Sequence, residues 1–200
     1  MRSSDATLIS ALARHADFTV PIKAAAVVFV TVLTAAAAQV SVPLPFTPVP
    51  LTLQPMVVLL GGAALGPRLG MTSQVLYLLA GIAGLPVFAA SATLPQGPFR
   101  LLGPTGGYLM SYPFAAWLTG WLASRGFDRR YLTSLVAMVA GLSIIFAGGV
   151  TWLAWFAHPV PVGPAVALAG GLYPFIPVDL VKICIASAIL PGTWALLGRT

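Results

Sequence analysis

Glutamate is absent from this chain, and acid of any kind is scarce: Asp5, Asp17, Asp128 and Asp179 are the four carboxylates in 200 residues. Without glutamate there is no His-Glu-x-x-His zinc site and no glutamate general base, and Asp179 has no second carboxylate close in sequence for paired acid–base work. No catalytic residues and no metal site are therefore expected. Lysine is equally rare. Lys23 follows Ile22 and Lys182 follows Val181, so neither completes the Gly-Lys-Ser/Thr of a phosphate-binding loop, and the chain is not expected to use ATP by itself. Cys184 is the single cysteine, which excludes a disulfide or a thiolate cluster within the chain and reads as a small core residue.

Hydrocarbon takes the place of charge. Hydrophobic residues make up 58% of the chain, charged residues 7%, and mean hydropathy is +0.96, which marks an integral membrane protein. A net charge of +6 would suggest nucleic acid in a soluble protein. Here the cations lie between apolar segments rather than on a stripe, so they read as topology signals and no nucleic-acid partner is expected.

The pattern predicts one all-α membrane domain over residues 1–200 with six transmembrane helices. They run at about Ile22 to Val40, Met56 to Gly66, Leu69 to Ala90, Pro104 to Ser124, Tyr131 to Phe156 and Pro174 to Leu197. Residues 1–20 mix Arg2, Asp5, Arg14 and Asp17 with Leu8, Ile9, Leu12 and Phe18, as an amphipathic interfacial segment does. Arg2, Arg14, Lys23, Arg68, Arg125, Arg129, Arg130 and Arg199 fall on the side of the termini, and Arg100 falls opposite. That asymmetry places both termini in the cytoplasm of a multi-pass plasma (inner) membrane protein. Gly62 and Gly66 form a small-x-x-x-small pair that lets a neighbouring helix approach closely.

Residues 41–55 read SVPLPFTPVPLTLQP, with prolines at 43, 45, 48, 50 and 55 that cannot donate a backbone hydrogen bond. A regular helix is excluded. Lipid cannot satisfy the carbonyls of such a stretch, and Phe46, Leu51 and Leu53 are too apolar for a solvated linker, so it is expected as an ordered outer lid between the first two helices. Residues 160–172 read as an outer connection or a short re-entrant piece.

Asp179 and Lys182 stand three residues apart inside the apolar run Ile176 to Leu190, hence on one helix face. Charge at bilayer depth costs roughly 2.5–3.5 kcal/mol on insertion scales, so such residues pair, face the bundle interior and mark a substrate or ion site; a purely structural pair is the alternative. Asp179 falls in the first turn of its helix, where free N–H groups and the dipole favour a carboxylate. Gln74 and Tyr77 share a face of the third span, Gln74 equally suited to a structural hydrogen bond between helices. Gly103-Pro104-Thr105-Gly106-Gly107-Tyr108 opens the fourth span, its glycines serving close packing or a ligand-facing turn. Arg100, the one outer cation beside the lid, is the natural partner of a substrate carboxylate. The proline-rich segment, Arg100 and the start of the sixth span converge on the outer half, as a capture site for a small polar molecule requires.

At these residues the chain resembles the BioY family, the biotin-specific capture subunits of energy-coupling factor transporters. The resembling stretches are Val42 to Gln54, Tyr77 to Gly81 with Gly84 to Phe88, Gly103 to Tyr108, and Pro177 to Lys182. The resemblance implies a six-helix fold whose first outer loop covers a biotin site open to the outside, with Asp179, Lys182, Arg100, Tyr108, Tyr77 and Gln54 as the binding set. Within it, Asp179 is read as accepting N–H from the ureido ring, Lys182 as donating to its carbonyl and Arg100 as pairing with the valerate carboxylate. No cofactor is implied, biotin being the transported ligand. The implied partners are a transmembrane coupling subunit and two ATPase subunits. Docking on the first helix has Thr31 with Ala35 and Thr34 with Ala38 to use, since a strict Ala-x-x-x-Ala is missing. A subunit acting alone, or as a homo-oligomer, stays open. So do three rivals: capture of another vitamin, an ion-coupled secondary transporter with Asp179 as the coupling carboxylate, and an enzyme built on Asp179 and His158.

Overall fold

A computed structural model describes residues 7–8, 19–91 and 94–196. The expected amphipathic segment at 1–20 lies almost wholly outside the described residues, as do Arg2, Arg14 and Arg199. The rest is mostly helical. α1 is Thr19–Gln39, α2 Gln54–Leu65, α3 Pro67–Ile82, α4 the single turn Phe99–Leu102, α5 Gly106–Leu122, α6 Tyr131–Trp155, α7 Pro164–Gly171 and α8 Ile176–Leu196. Val20–Gln39, Tyr131–Trp155 and Ile176–Leu196 are long and apolar enough to cross a membrane. The twelve residues of α2 span about 18 Å at 1.5 Å each, well short of a bilayer's hydrocarbon.

The expectation of an all-α chain with an ordered non-helical loop at 41–55 is corrected in one respect, since that segment forms two strands. Ser41–Leu44 (β1) and Thr47–Thr52 (β2) pair antiparallel, Ser41 opposite Thr52 and Val42 opposite Leu51, with an irregularity between Val42 and Leu44. Pro43 lies in β1, and Pro48 and Pro50 stand two apart in β2. Successive N–H groups point to opposite edges, so the missing donors fall on one edge of each strand and a two-stranded hairpin tolerates them. The hairpin is tied down. Thr47 Oγ1 donates to Gly170 O at 2.7 Å, fastening its turn to α7, and Val49 is buried in the main core.

α5 is the hub, packed against α2, α3 and α6. The close approach expected at Gly62 is present: a Cβ there would lie 2.7 Å from Ala116 Cα of α5, and one at Gly120 would lie 2.6 Å from Gly62 O. Gly66 reverses the chain between α2 and α3 at φ 84°, a conformation glycine adopts freely, and Pro67 starts the next helix. α3 stops eight residues short of its expected end at Ala90. Gly84, at φ 91°, and Pro86 break it, and Phe88 folds back so that its ring covers Gly81.

α1 enters the hairpin at Ser41 and α8 leaves from beside it, so the described ends of both helices lie at the opposite end of the bundle. Arg68, Arg125, Arg129 and Arg130 occupy the turns at that opposite end. Cys184 is exposed rather than in the core. Thr31 and Thr34 are buried against α3, where Thr31 Oγ1 donates to Ser73 O at 2.9 Å and Gln74 Nε2 to Thr34 Oγ1 at 3.3 Å. Those threonines hold α1 to its own bundle, which removes them as a docking surface, and Gln74 serves as a link between helices.

Candidate functional site

Beneath the hairpin the helices leave a partly open chamber, whose non-protein space with the solvent at its mouth included is about 610 Å³. Its floor and walls are mostly apolar, from Val49 and Leu51 of the hairpin, Phe88, Leu109, Ile145, Phe146 and Phe175. Charged and polar groups enter at a few points only, the composition expected of a small-molecule pocket. A second recess, lined by Pro43, Thr47, Leu94 and Pro104, shares Pro50, Arg100 and Thr105 with the chamber and lies under the hairpin's outer edge.

Four of the six residues expected at the site line the chamber: Gln54, Arg100, Tyr108 and Asp179. Asp179 sits in the first turn of α8, its backbone N–H bonded to Phe175 O at 2.8 Å. Oδ1 accepts from Lys182 Nζ at 2.7 Å, and no bond to Oδ2 exists among the described residues. That oxygen is available to a ligand. Lys182 itself is not on the chamber wall. Its ammonium turns to the hairpin and donates to Thr52 O at 2.6 Å, so it holds both the lid and the carboxylate.

Tyr77 also stands behind the wall rather than in it. It is fully buried, accepts from Gln54 Nε2 at 2.6 Å and donates to Val87 O at 3.1 Å. Gly81, Tyr77 and Phe88 thus fix the loop after α3, the Tyr77 and Phe88 rings meeting edge to face at 5.5 Å. Tyr108 lines the chamber with its ring against Gly149, and its hydroxyl donates to Gly171 O at 2.6 Å. The glycine turn before it serves packing: Gly107 leaves room for Trp152, whose Nε1 donates to Gly103 O at 2.9 Å.

Arg100 is 4% exposed, and its Nη2 donates to Ala89 O. No carboxylate pairs with it among the described residues. Burial lowers its pKa from the usual arginine value, with Tyr77 opposing, yet a guanidinium stays protonated. A buried cation with no carboxylate partner among the described residues leaves a charge that an anionic group could balance. Tyr112, which the sequence reading missed, also lines the chamber at 3% exposure. Its one legible signal is its position a helical turn after Tyr108. His158 is exposed in the connection after α6 and absent from the chamber wall, so it forms no pair with Asp179.

The model of the BioY family matches residues 10–199. Probable biotin transporter BioY of Pyrococcus horikoshii is 43% identical over 157 residues, covering 78% of this chain and 86% of the relative. Biotin transporter BioY of Thermotoga maritima is 38% identical over 159 residues, covering 80% and 88%, and that of Rhizobium etli is 32% identical over 178 residues, covering 86% and 87%. Among solved structures, the crystal structure of the S-component for biotin from an ECF-type ABC transporter superposes with a TM-score of 0.78 at 24% identity. It covers 89% of this chain and 93% of that one, a likeness of fold. The relatives are named as transporters rather than enzymes, and with its length matched almost end to end this chain belongs to the BioY family.

Proposed function

We propose that the chain captures biotin at the outer face of the plasma membrane as the substrate-binding subunit of an energy-coupling factor transporter. One observation carries the reading. The chamber presents at Arg100 a buried guanidinium with no carboxylate partner among the described residues and at Asp179 a half-engaged carboxylate, with apolar walls between them. A ligand with a carboxylate at one end, a methylene chain in the middle and a cyclic urea at the other satisfies all three. The valerate carboxylate pairs with Arg100, the chain and thioether ring pack on Phe88, Tyr108 and Phe175, and a ureido N–H donates to Asp179 Oδ2. Lys182 holds the carboxylate in place, and Gln54 and Tyr77 brace the wall. The names of the relatives support the ligand.

Six spans are proposed, with both termini cytoplasmic. α1, α6 and α8 are the long ones. α2, α3 and α5 are shorter and cross with the help of the hairpin and the turns at their ends. Arg68, Arg125, Arg129 and Arg130 at the end opposite the hairpin support that orientation. Concentrative uptake then draws its energy from a coupling subunit and ATPase subunits, docking on a surface other than Thr31 and Thr34.

The test is calorimetry on the purified chain in detergent with biotin, alongside Asp179→Asn. One-to-one binding lost in the variant is expected. Well-folded protein that ignores biotin refutes the assignment, and a vitamin screen then decides among the remaining capture readings.

A further inference from the structure

Three tyrosines surround the chamber, and two of their hydroxyls are committed to the protein: Tyr77 to Val87 O and Gln54, Tyr108 to Gly171 O. Tyr112 differs. It is 3% exposed, yet its hydroxyl has no hydrogen-bond partner among the described residues. Nor is that oxygen sealed in, as the orphaned carbonyl oxygens of Gln74 and Gln96 are. The residue lines the chamber together with Tyr108 and Asp179. Its ring is held by Tyr77 at 6.4 Å between centroids. A buried polar group is not left unpaired without cost, so this O–H is placed for something that enters the chamber.

The other donors near Asp179 are turned to the protein, Lys182 from behind the chamber wall and Gln54 with one of its two amide hydrogens. Lys182 Nζ bonds Thr52 O and Asp179 Oδ1, and Gln54 Nε2 bonds Tyr77. Thr105 stands with Arg100 where the chamber meets the outer recess. A cyclic urea whose N–H donates to Asp179 Oδ2 carries an adjacent carbonyl oxygen that needs a donor of its own. We infer that Tyr112 is a specificity-determining contact, donating its hydroxyl proton to the ureido carbonyl oxygen of the captured ligand. This assigns to Tyr112 the carbonyl contact that the sequence reading gave to Lys182, and it rests on the biotin reading above.

The experiment measures dissociation constants of wild type and Tyr112→Phe for biotin, desthiobiotin and 2-thiobiotin. Desthiobiotin keeps the urea carbonyl and lacks the ring sulfur. In 2-thiobiotin sulfur, a weak acceptor, replaces the carbonyl oxygen. Phenylalanine keeps the ring contact with Tyr77, and the melting temperature of each protein reports on folding. The expected result is a loss of about tenfold for biotin and desthiobiotin in the variant, with 2-thiobiotin changed less than about twofold. Equal losses for all three ligands assign Tyr112 a structural part and overturn the inference, as does unchanged biotin affinity. Wild type that fails to bind biotin overturns the biotin reading itself and the inference with it, an outcome distinct from a variant indistinguishable from wild type.

Discussion

The ammonium of Lys182 donates to the carbonyl oxygen of Thr52 at 2.6 Å, joining the second turn of α8 to the last residue of the hairpin. The same nitrogen lies 2.7 Å from Asp179 Oδ1. The hairpin, the cation and the chamber-lining carboxylate are therefore one unit. Anything that removes the cation frees the hairpin and strands a buried acid.

Lys182→Met is accordingly expected to cost about 3–5 kcal/mol of stability, because it leaves an uncompensated charge in the bundle. Asp179→Asn combined with Lys182→Met restores most of that stability and none of the biotin affinity. Thermal unfolding in detergent measures the first and calorimetry the second. A double variant as unstable as the single one refutes the coupling.

Arg100 leads to a prediction about the ligand's far end. If its buried guanidinium pairs with the valerate carboxylate, Arg100→Gln weakens biotin by about 10- to 100-fold and leaves biotin amide unchanged. Arg100→Lys recovers part of the loss, since a point charge replaces a planar fork. An identical loss for acid and amide speaks against the pairing.

How far these residues could be read in advance follows from their surroundings. Asp179, Lys182 and Arg100 stood out because charge is rare in an apolar chain, and Gln54 and Tyr108 because they close unusual Pro- and Gly-rich stretches. Tyr112 stood in an aromatic and alanine-rich run where a packing residue looks the same. The prolines of residues 41–55 excluded a helix, but the lost donors also hid the strands. The contact from Lys182 to Thr52 joins residues 130 apart, which no local period encodes. Thr31 with Ala35 and Thr34 with Ala38 have the spacing of a docking motif whichever helix they face, and only the packing of α1 on α3 decides between the two uses.

Asp128, in the turn between α5 and α6, gives a pH prediction. Its carboxylate is 2% exposed and accepts from Trp194 Nε1 at 2.6 Å, with Arg129 Nε 3.6 Å away. Desolvation raises its pKa, more than the Trp194 bond and Arg129 lower it. A carboxyl whose folded pKa exceeds its unfolded value contributes stability that is full below the unfolded pKa and is lost as pH rises through the folded one. Asp128→Asn keeps an acceptor for Trp194 without the charge. Its melting temperature relative to wild type is expected to improve by about 2–4 °C between pH 4 and pH 7. A difference that stays flat or falls over that range contradicts the assignment.

The packing at the hub gives the last prediction. Gly62 of α2 and Gly120 of α5 have backbone within van der Waals reach of where a Cβ would stand: Ala116 Cα at 2.7 Å for the first, Gly62 O at 2.6 Å for the second. Backbone cannot swing aside as a flexible side chain does, so Gly62→Ala and Gly120→Ala must push α2 and α5 apart. Since α5 carries Tyr108 and Tyr112 and α2 begins at Gln54, the displacement reaches the chamber. Each substitution is expected to destabilise by about 1–3 kcal/mol and to weaken biotin binding. Gly192→Ala, with nothing within 4 Å of the added carbon, serves as the control and is expected to leave stability and binding intact or to raise stability slightly through helix propensity. Thermal unfolding of the three variants checks this ordering, and Gly62→Ala as stable as Gly192→Ala contradicts the close contact of α2 and α5.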